Sequence, residues 1–185
     1  MGKVRRIVPG RCCGAIIDVQ EFFLGQVERR LRSSIVANTA ELAGLLDHLN
    51  IPVVVTLEQP VPDKGRLPPA IARRLGRHAK SFEKNFFDLS KEPRIRRHLA
   101  RLKRRQVIVT GCETDVCVLQ SCLGLLDLCY EVYVVEDLLF SSTPAIAAAI
   151  ERMKAAGAVF LTFKTLFYEL VASVEGSHRV DDAIG

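Results

Sequence analysis

Short apolar runs alternate with amphipathic segments along most of this chain, and that alternation limits the fold more than any other feature. The runs are CCGAIIDV (12–19), IPVVVTLE (51–58), QVIVTG (106–111), EVYVVED (131–137) and AVFLTF (158–163), with AKSFEK (79–84) as a shorter, more polar companion. Each has the length of a β-strand. Between them, residues 27–50 carry Leu31, Ile35, Asn38, Leu42, Leu45 and Leu49 at helical spacing, and 94–105, 114–129 and 143–157 also read as helices. Strands that are apolar throughout, rather than on alternate residues, must be covered on both faces. Strands separated by helices pair in parallel. The expected architecture is therefore α/β: three layers, with a six-stranded, mainly parallel sheet flanked by helices. A length of 185 residues suits one such domain over 1–185.

Composition removes several classes of function. With 49% hydrophobic and 25% charged residues the chain has a globular make-up, and no apolar run approaches the ~20 residues of a membrane span. The opening MGKVRRIVPGR has basic residues without an apolar stretch behind them, so a secretory signal is not expected. Arg6 stands where a myristoylation signal carries Ser or Thr. Six cysteines in a chain of this size read as free thiols of a reducing cytoplasm. The net charge of +5 gathers in RIRRHLARLKRR (94–105), where Ile95, Leu99 and Leu102 share one face. That is an amphipathic helix with a cationic, solvated outer side. It lacks aromatic interleaving or a binding module, so no nucleic-acid partner is expected.

In a doubly wound fold, ligands sit beyond the carboxyl ends of the strands. The residues that end the strands here are Asp18, Glu58 with Gln59, Lys84, and Gly111 leading to Cys117. Taken singly, each also has an ordinary reading as a capping or solvated group. The segment VIVTGCETDVCVLQSC (107–122) adds more. Gly111 allows a sharp turn, Thr114 is a candidate N-cap, and Cys117 falls in the first helical turn, where free backbone amides and the helix dipole favour a thiolate or an oxyanion. Cys122 and Cys129 lie deeper in that helix, Cys12 and Cys13 open a buried strand, and Cys112 has no evident activator. The spacing of Cys112, Cys117 and Cys122 does not match structural zinc, and His48, His78, His98 and His178 cluster with nothing, so no metal is expected.

Three segments resemble motifs of the isochorismatase-like cysteine hydrolase superfamily, which includes nicotinamidases and N-carbamoylsarcosine amidohydrolase. They are AIIDVQEFF (15–23), SFEKNFFDLS (81–90) and, most specific of all, the nucleophile segment 107–122. The likeness runs from about Ala15 to Phe163. It implies a triad of Asp18, Lys84 and Cys117, with Asp18 taking the thiol proton and Lys84 supporting the charged form. It further implies an oxyanion hole from the backbone N–H groups of Glu113 and Cys117, a cis peptide between Cys112 and Glu113, no cofactor, and a homo-oligomer. Gln20, Gln59 and Phe22 are candidate substrate contacts, with plain hydrogen bonding or packing as the alternative; Phe23, Phe86 and Phe87 share the second ambiguity.

The departures narrow the substrate. No histidine follows the second strand before His78, which removes the metal site of nicotinamidases. The presence of Cys117 favours C–N hydrolysis over vinyl-ether cleavage. The expectation is a metal-independent amidohydrolase acting on a small amide or carbamoyl compound through a covalent acyl-enzyme. The rivals are a binding or scaffold member with weak turnover, and a redox-responsive thiol protein using Cys117 with Cys112.

Overall fold

The computed structural model describes residues 6–177 and Val180; the residues before Arg6, and His178, named above, lie outside it. Six strands form one all-parallel sheet: β1 (Cys12–Ile17), β2 (Val53–Glu58), β3 (Ala79–Lys84), β4 (Gln106–Gly111), β5 (Glu131–Leu139) and β6 (Val159–Leu161), in the spatial order β3-β2-β1-β4-β5-β6. The helices are α1 (Glu21–Leu24), α2 (Arg29–His48), α3 (Val61–Lys64), α4 (Pro69–Ala72), α5 (Pro93–Leu102), α6 (Leu119–Asp127), α7 (Ala147–Ala155) and α8 (Phe163–Val171).

Alternate residues of each central strand feed two separate cores. Cys12, Ile16, Val53 and Val55 meet Ile35, Leu42, Leu45 and Leu46 of α2 and Leu166 and Leu170 of α8. Cys13, Ala15, Ile17 and Val54 meet Ile95 and Leu99 of α5, Cys122 and Leu125 of α6 and Met153 of α7. β1, β2 and β4 are almost wholly buried and largely apolar because both their faces are dry. Gly14 lets α2 close on the sheet: a Cβ there would lie 2.8 Å from the Leu46 side chain.

Three details differ from the sequence expectation. Leu31 is exposed, and Thr39 and Leu46 are buried instead, because the first turns of α2 run past the sheet. Helix α8 follows β6 directly, with Thr162 as its N-cap accepting the Thr165 N–H, and was not expected. Residues 114–129 are not one α-helix: Thr114–Val118 forms a π-helical turn before α6 begins. Among the described residues no helix is long and apolar enough to cross a membrane.

Candidate active site

The strand order reverses between β1 and β4, and the two crossovers leave a crevice at their carboxyl ends. Asp18 follows β1 with φ of 50°, a left-handed conformation that Asp adopts more easily than most residues. Its carboxylate Oδ1 accepts the Thr56 hydroxyl at 2.7 Å. Lys84, the last residue of β3, places Nζ 2.7 Å from Asp18 Oδ2, with both side chains fully buried. The same ammonium lies 3.6 Å from Glu58 Oε2 and donates to Cys117 Sγ at 3.4 Å.

Cys117 reaches this point through a turn that only glycine can begin. At Gly111 φ is 123°, and a Cβ would sit 2.0 Å from the Ile17 carbonyl oxygen. The Cys112 N–H then donates to that carbonyl at 2.9 Å, and the Cys112–Glu113 peptide is cis. Thr114 is not the N-cap. Glu113 occupies that position in an extended conformation, while the Thr114 hydroxyl donates to the Phe140 carbonyl at 3.1 Å, because the end of β5 lies closer than the next turn. Ser141 accepts the Thr114 N–H at 2.9 Å and donates to Asp115, so the turn is tied to β5 from both sides.

The electrostatics are those of a closed cluster. Asp18 and Lys84 are 0% exposed and Cys117 is 2% exposed. Burial lifts the Asp18 carboxyl above its ordinary value, opposed by Lys84 and by hydrogen bonds from the Thr56 hydroxyl and Cys117. Burial pulls Lys84 down, but Asp18, Cys117 and Glu58 outweigh it and hold the ammonium charged. The expected thiolate is not the resting form of Cys117. Burial pushes its pKa far up, Asp18 and Glu58 add to the rise, and Lys84 only moderates it. The thiol proton is directed to Glu58 Oε2 at 2.9 Å. Burial likewise pushes up the thiol of Cys112, the partner that a redox-responsive Cys117 would need. All six cysteines are free, and Cys129 alone is exposed.

In the sequence Glu58 reads only as a strand-end acid. It joins the cluster through β2, which puts Thr56 and Glu58 two residues apart on one face. Two polar residues at that spacing, closing an otherwise apolar strand, are the signal in the sequence. Lys64 of α3 pairs with Glu58 Oε1. Donor atoms of Asp18, Glu58 and Cys117 lie within 4.8 Å of one another, a grouping suited to a cation. The Lys84 ammonium already stands among them, at the distances given above.

The remaining candidates are placed differently. Gln20 is fully buried; its Nε2 donates to the Glu58 and Gly65 carbonyls and its Oε1 accepts the Glu58 N–H. Both amide protons are used, and Gln20 clasps the end of β2. Gln59 donates to Glu83 at 2.5 Å and accepts from Val61, at the side of an open cleft of about 610 Å³. Phe22 is half exposed with its ring edge-on to Phe23, and Phe86 and Phe87 are also exposed. Outside the cluster, α5 buries Ile95 and Leu99 and turns its arginines outward, as expected. Of the described histidines, His98 packs on Phe82 while His48 and His78 lie apart on the surface.

Comparison with known proteins bears on the family and the fold. The family model described as the isochorismatase domain matches residues 14–165. A relative named secreted isochorismatase effector Isc1, from Phytophthora sojae, is 32% identical, covering 91% of this chain and 80% of its own. The structure of a MAR1 ribonuclease from Caenorhabditis elegans superposes with a TM-score of 0.88 at 27% identity, covering 97% of this chain and 92% of that one. The YcaC protein of Escherichia coli, described as an octameric hydrolase of unknown specificity, superposes with a TM-score of 0.87 at 20% identity, covering 97% and 91%.

Proposed function

The chain belongs to the isochorismatase family of hydrolases, and from that premise we propose that it is a metal-independent cysteine amidohydrolase acting on a small amide or carbamoyl compound. One observation carries the reading: a single buried ammonium, Lys84 Nζ, touches both Asp18 Oδ2 at 2.7 Å and Cys117 Sγ at 3.4 Å. An ammonium so placed stabilises negative charge on sulfur when the thiol proton leaves. The sulfur attacks the carbonyl carbon, and the backbone N–H groups of Glu113 and Cys117 receive the developing oxyanion. The amine departs with a proton from the carboxylates beside Lys84, and Asp18 activates the water that cleaves the thioester. Lys84 fills the position that a cation would otherwise take, which supports a reaction without metal.

A closed cluster with Cys117 2% exposed favours a small substrate over a polymer such as RNA. The working unit is a single hydrolase domain assembled as a homo-oligomer. The octameric state described for YcaC and the exposed rings of Phe22, Phe86 and Phe87 support that assembly. Free thiols throughout suit a reducing cytoplasm, whereas the Phytophthora relative is named as secreted.

The test is trapping. The protein is mixed with a panel of small amides and carbamoyl compounds, quenched in acid and digested, and the Cys117 peptide is weighed. An added acyl mass on Cys117 is the expected result. Turnover with the acyl mass elsewhere, or with none, refutes the covalent step.

A further inference from the structure

We propose that Glu58 is a catalytic base in its own right, the group that takes the proton from Cys117, while Asp18 holds Lys84 in place during that step. The consequence for turnover rests on the amidohydrolase reading; the contact with the thiol does not.

The hydrogen bonds divide the two carboxylates. Asp18 Oδ1 accepts the Thr56 hydroxyl at 2.7 Å and Oδ2 lies 2.7 Å from the Lys84 ammonium, with Cys117 as a further side-chain hydrogen-bonding neighbour. Glu58 is built to leave one oxygen for sulfur. Its backbone N–H is held by Gln20 Oε1 at 2.7 Å and its carbonyl by Gln20 Nε2 at 3.2 Å. Lys64 occupies Oε1, and Oε2 accepts the Cys117 thiol at 2.9 Å. Asp18, Lys84, Lys64 and Cys117 are the charged and titratable groups that face it, from β1, β3, α3 and the π-helical turn. Two ammonium groups balance two carboxylates, so the thiol proton can move without creating net charge. Burial raises the Glu58 pKa, but the hydrogen bonds from Cys117 and Lys64 and the charges of Lys84 and Lys64 outweigh it, and the net shift is downward. The carboxylate is therefore ionised and available at neutral pH.

The step balances. The S–H bond breaks, its proton goes to Glu58 Oε2, and the electron pair remains on sulfur beside Lys84. Sulfur bonds to the carbonyl carbon, the C–N bond breaks, and the proton on Glu58 passes to the departing nitrogen. Water then supplies the hydroxyl of the acid product and returns one proton to sulfur. The reactive state, thiolate with protonated Glu58, carries the same charge as the resting state, so its population is independent of pH between the two titrations.

That independence is measurable without a substrate. The rate of iodoacetamide alkylation at Cys117 is followed by peptide mass spectrometry from acid to mildly alkaline pH, which separates it from the exposed Cys129. Wild type is expected to show a neutral plateau that falls on the acid side as Glu58 is protonated. Glu58→Gln is expected to lose the plateau and to react in proportion to hydroxide, with its circular dichroism unchanged. Lys64→Met, which leaves the carboxylate in place, is expected to move the acid limb to higher pH, a shift a structural role would not produce. A plateau that survives in Glu58→Gln, no plateau in wild type, or an unmoved limb in Lys64→Met overturns the assignment. If the signature holds while no amide is turned over, the amidohydrolase reading fails and the role of Glu58 at the thiol stands; ammonia release with an unchanged plateau refutes Glu58 alone.

Discussion

Lys84 Nζ and Asp18 Oδ2 lie 2.7 Å apart with neither side chain exposed, an ion pair sealed between the ends of β1 and β3. A buried pair is held by its mutual compensation, and removing one partner strands the other. Asp18→Asn is expected to destabilise the fold by about 3 kcal/mol in urea denaturation. Lys84→Met should cost a similar amount, and the double variant less than the sum, because the two share one interaction. Strict additivity would mean that the pair is not coupled.

The stabilising contributions of Glu58 and Lys84 should be lost at opposite ends of the pH scale. Glu58 has a folded pKa below its ordinary 4.5, so its contribution is complete above that value and is lost as pH drops through the folded one. Lys84 has a folded pKa above its ordinary 10.5, so its contribution is complete below that value and is lost as pH rises through the folded one. Urea midpoints measured across pH check this: Glu58→Gln is expected to flatten the acid decline relative to wild type and leave the alkaline decline unchanged.

Gly111 tests the turn that delivers Cys117. With φ of 123° and the Ile17 carbonyl oxygen 2.0 Å from any Cβ, Gly111→Ala has to push β4 from β1 at the strand end. A loss of roughly 3 kcal/mol is expected from left-handed strain and overlap together, along with loss of the Cys117 alkylation plateau. A variant as stable and as reactive as wild type would contradict the role given to this contact.

Gln20 is expected to matter through Glu58. Gln20→Ala removes three hydrogen bonds, two to the end of β2 and one to the Gly65 carbonyl after α3, and leaves part-buried backbone groups unpaired, at about 1 kcal/mol or more. If Gln20 positions Glu58, kcat falls with KM little changed. A rise in KM alone would instead make Gln20 a substrate contact.

The sequence made some of this legible and hid the rest, for physical reasons. β3 and β4 run over the residues that the apolar runs marked, and Lys84 and Gly111 therefore stand at strand ends as expected. The cis peptide at Cys112–Glu113 was implied by resemblance alone. Leu31 matched the helical spacing of α2 yet is exposed, because periodicity defines a face and not how far the sheet extends beneath it. Thr114 had the chemistry of a cap, but the Phe140 carbonyl, 26 residues away, took its hydroxyl. A helix terminus favours a thiolate at Cys117, whereas burial and the carboxylates of Asp18 and Glu58, which no local pattern shows, push its pKa up. Glu58 meets that thiol across 59 residues of sequence, a contact that no local pattern encodes.

Ammonia release from a panel of small amides and carbamoyl compounds, compared between wild type and Cys117→Ala, tests the central claim most directly. Release by wild type that disappears in Cys117→Ala is the predicted result. Release that persists in Cys117→Ala would contradict a cysteine nucleophile and return the chemistry of this site to another residue.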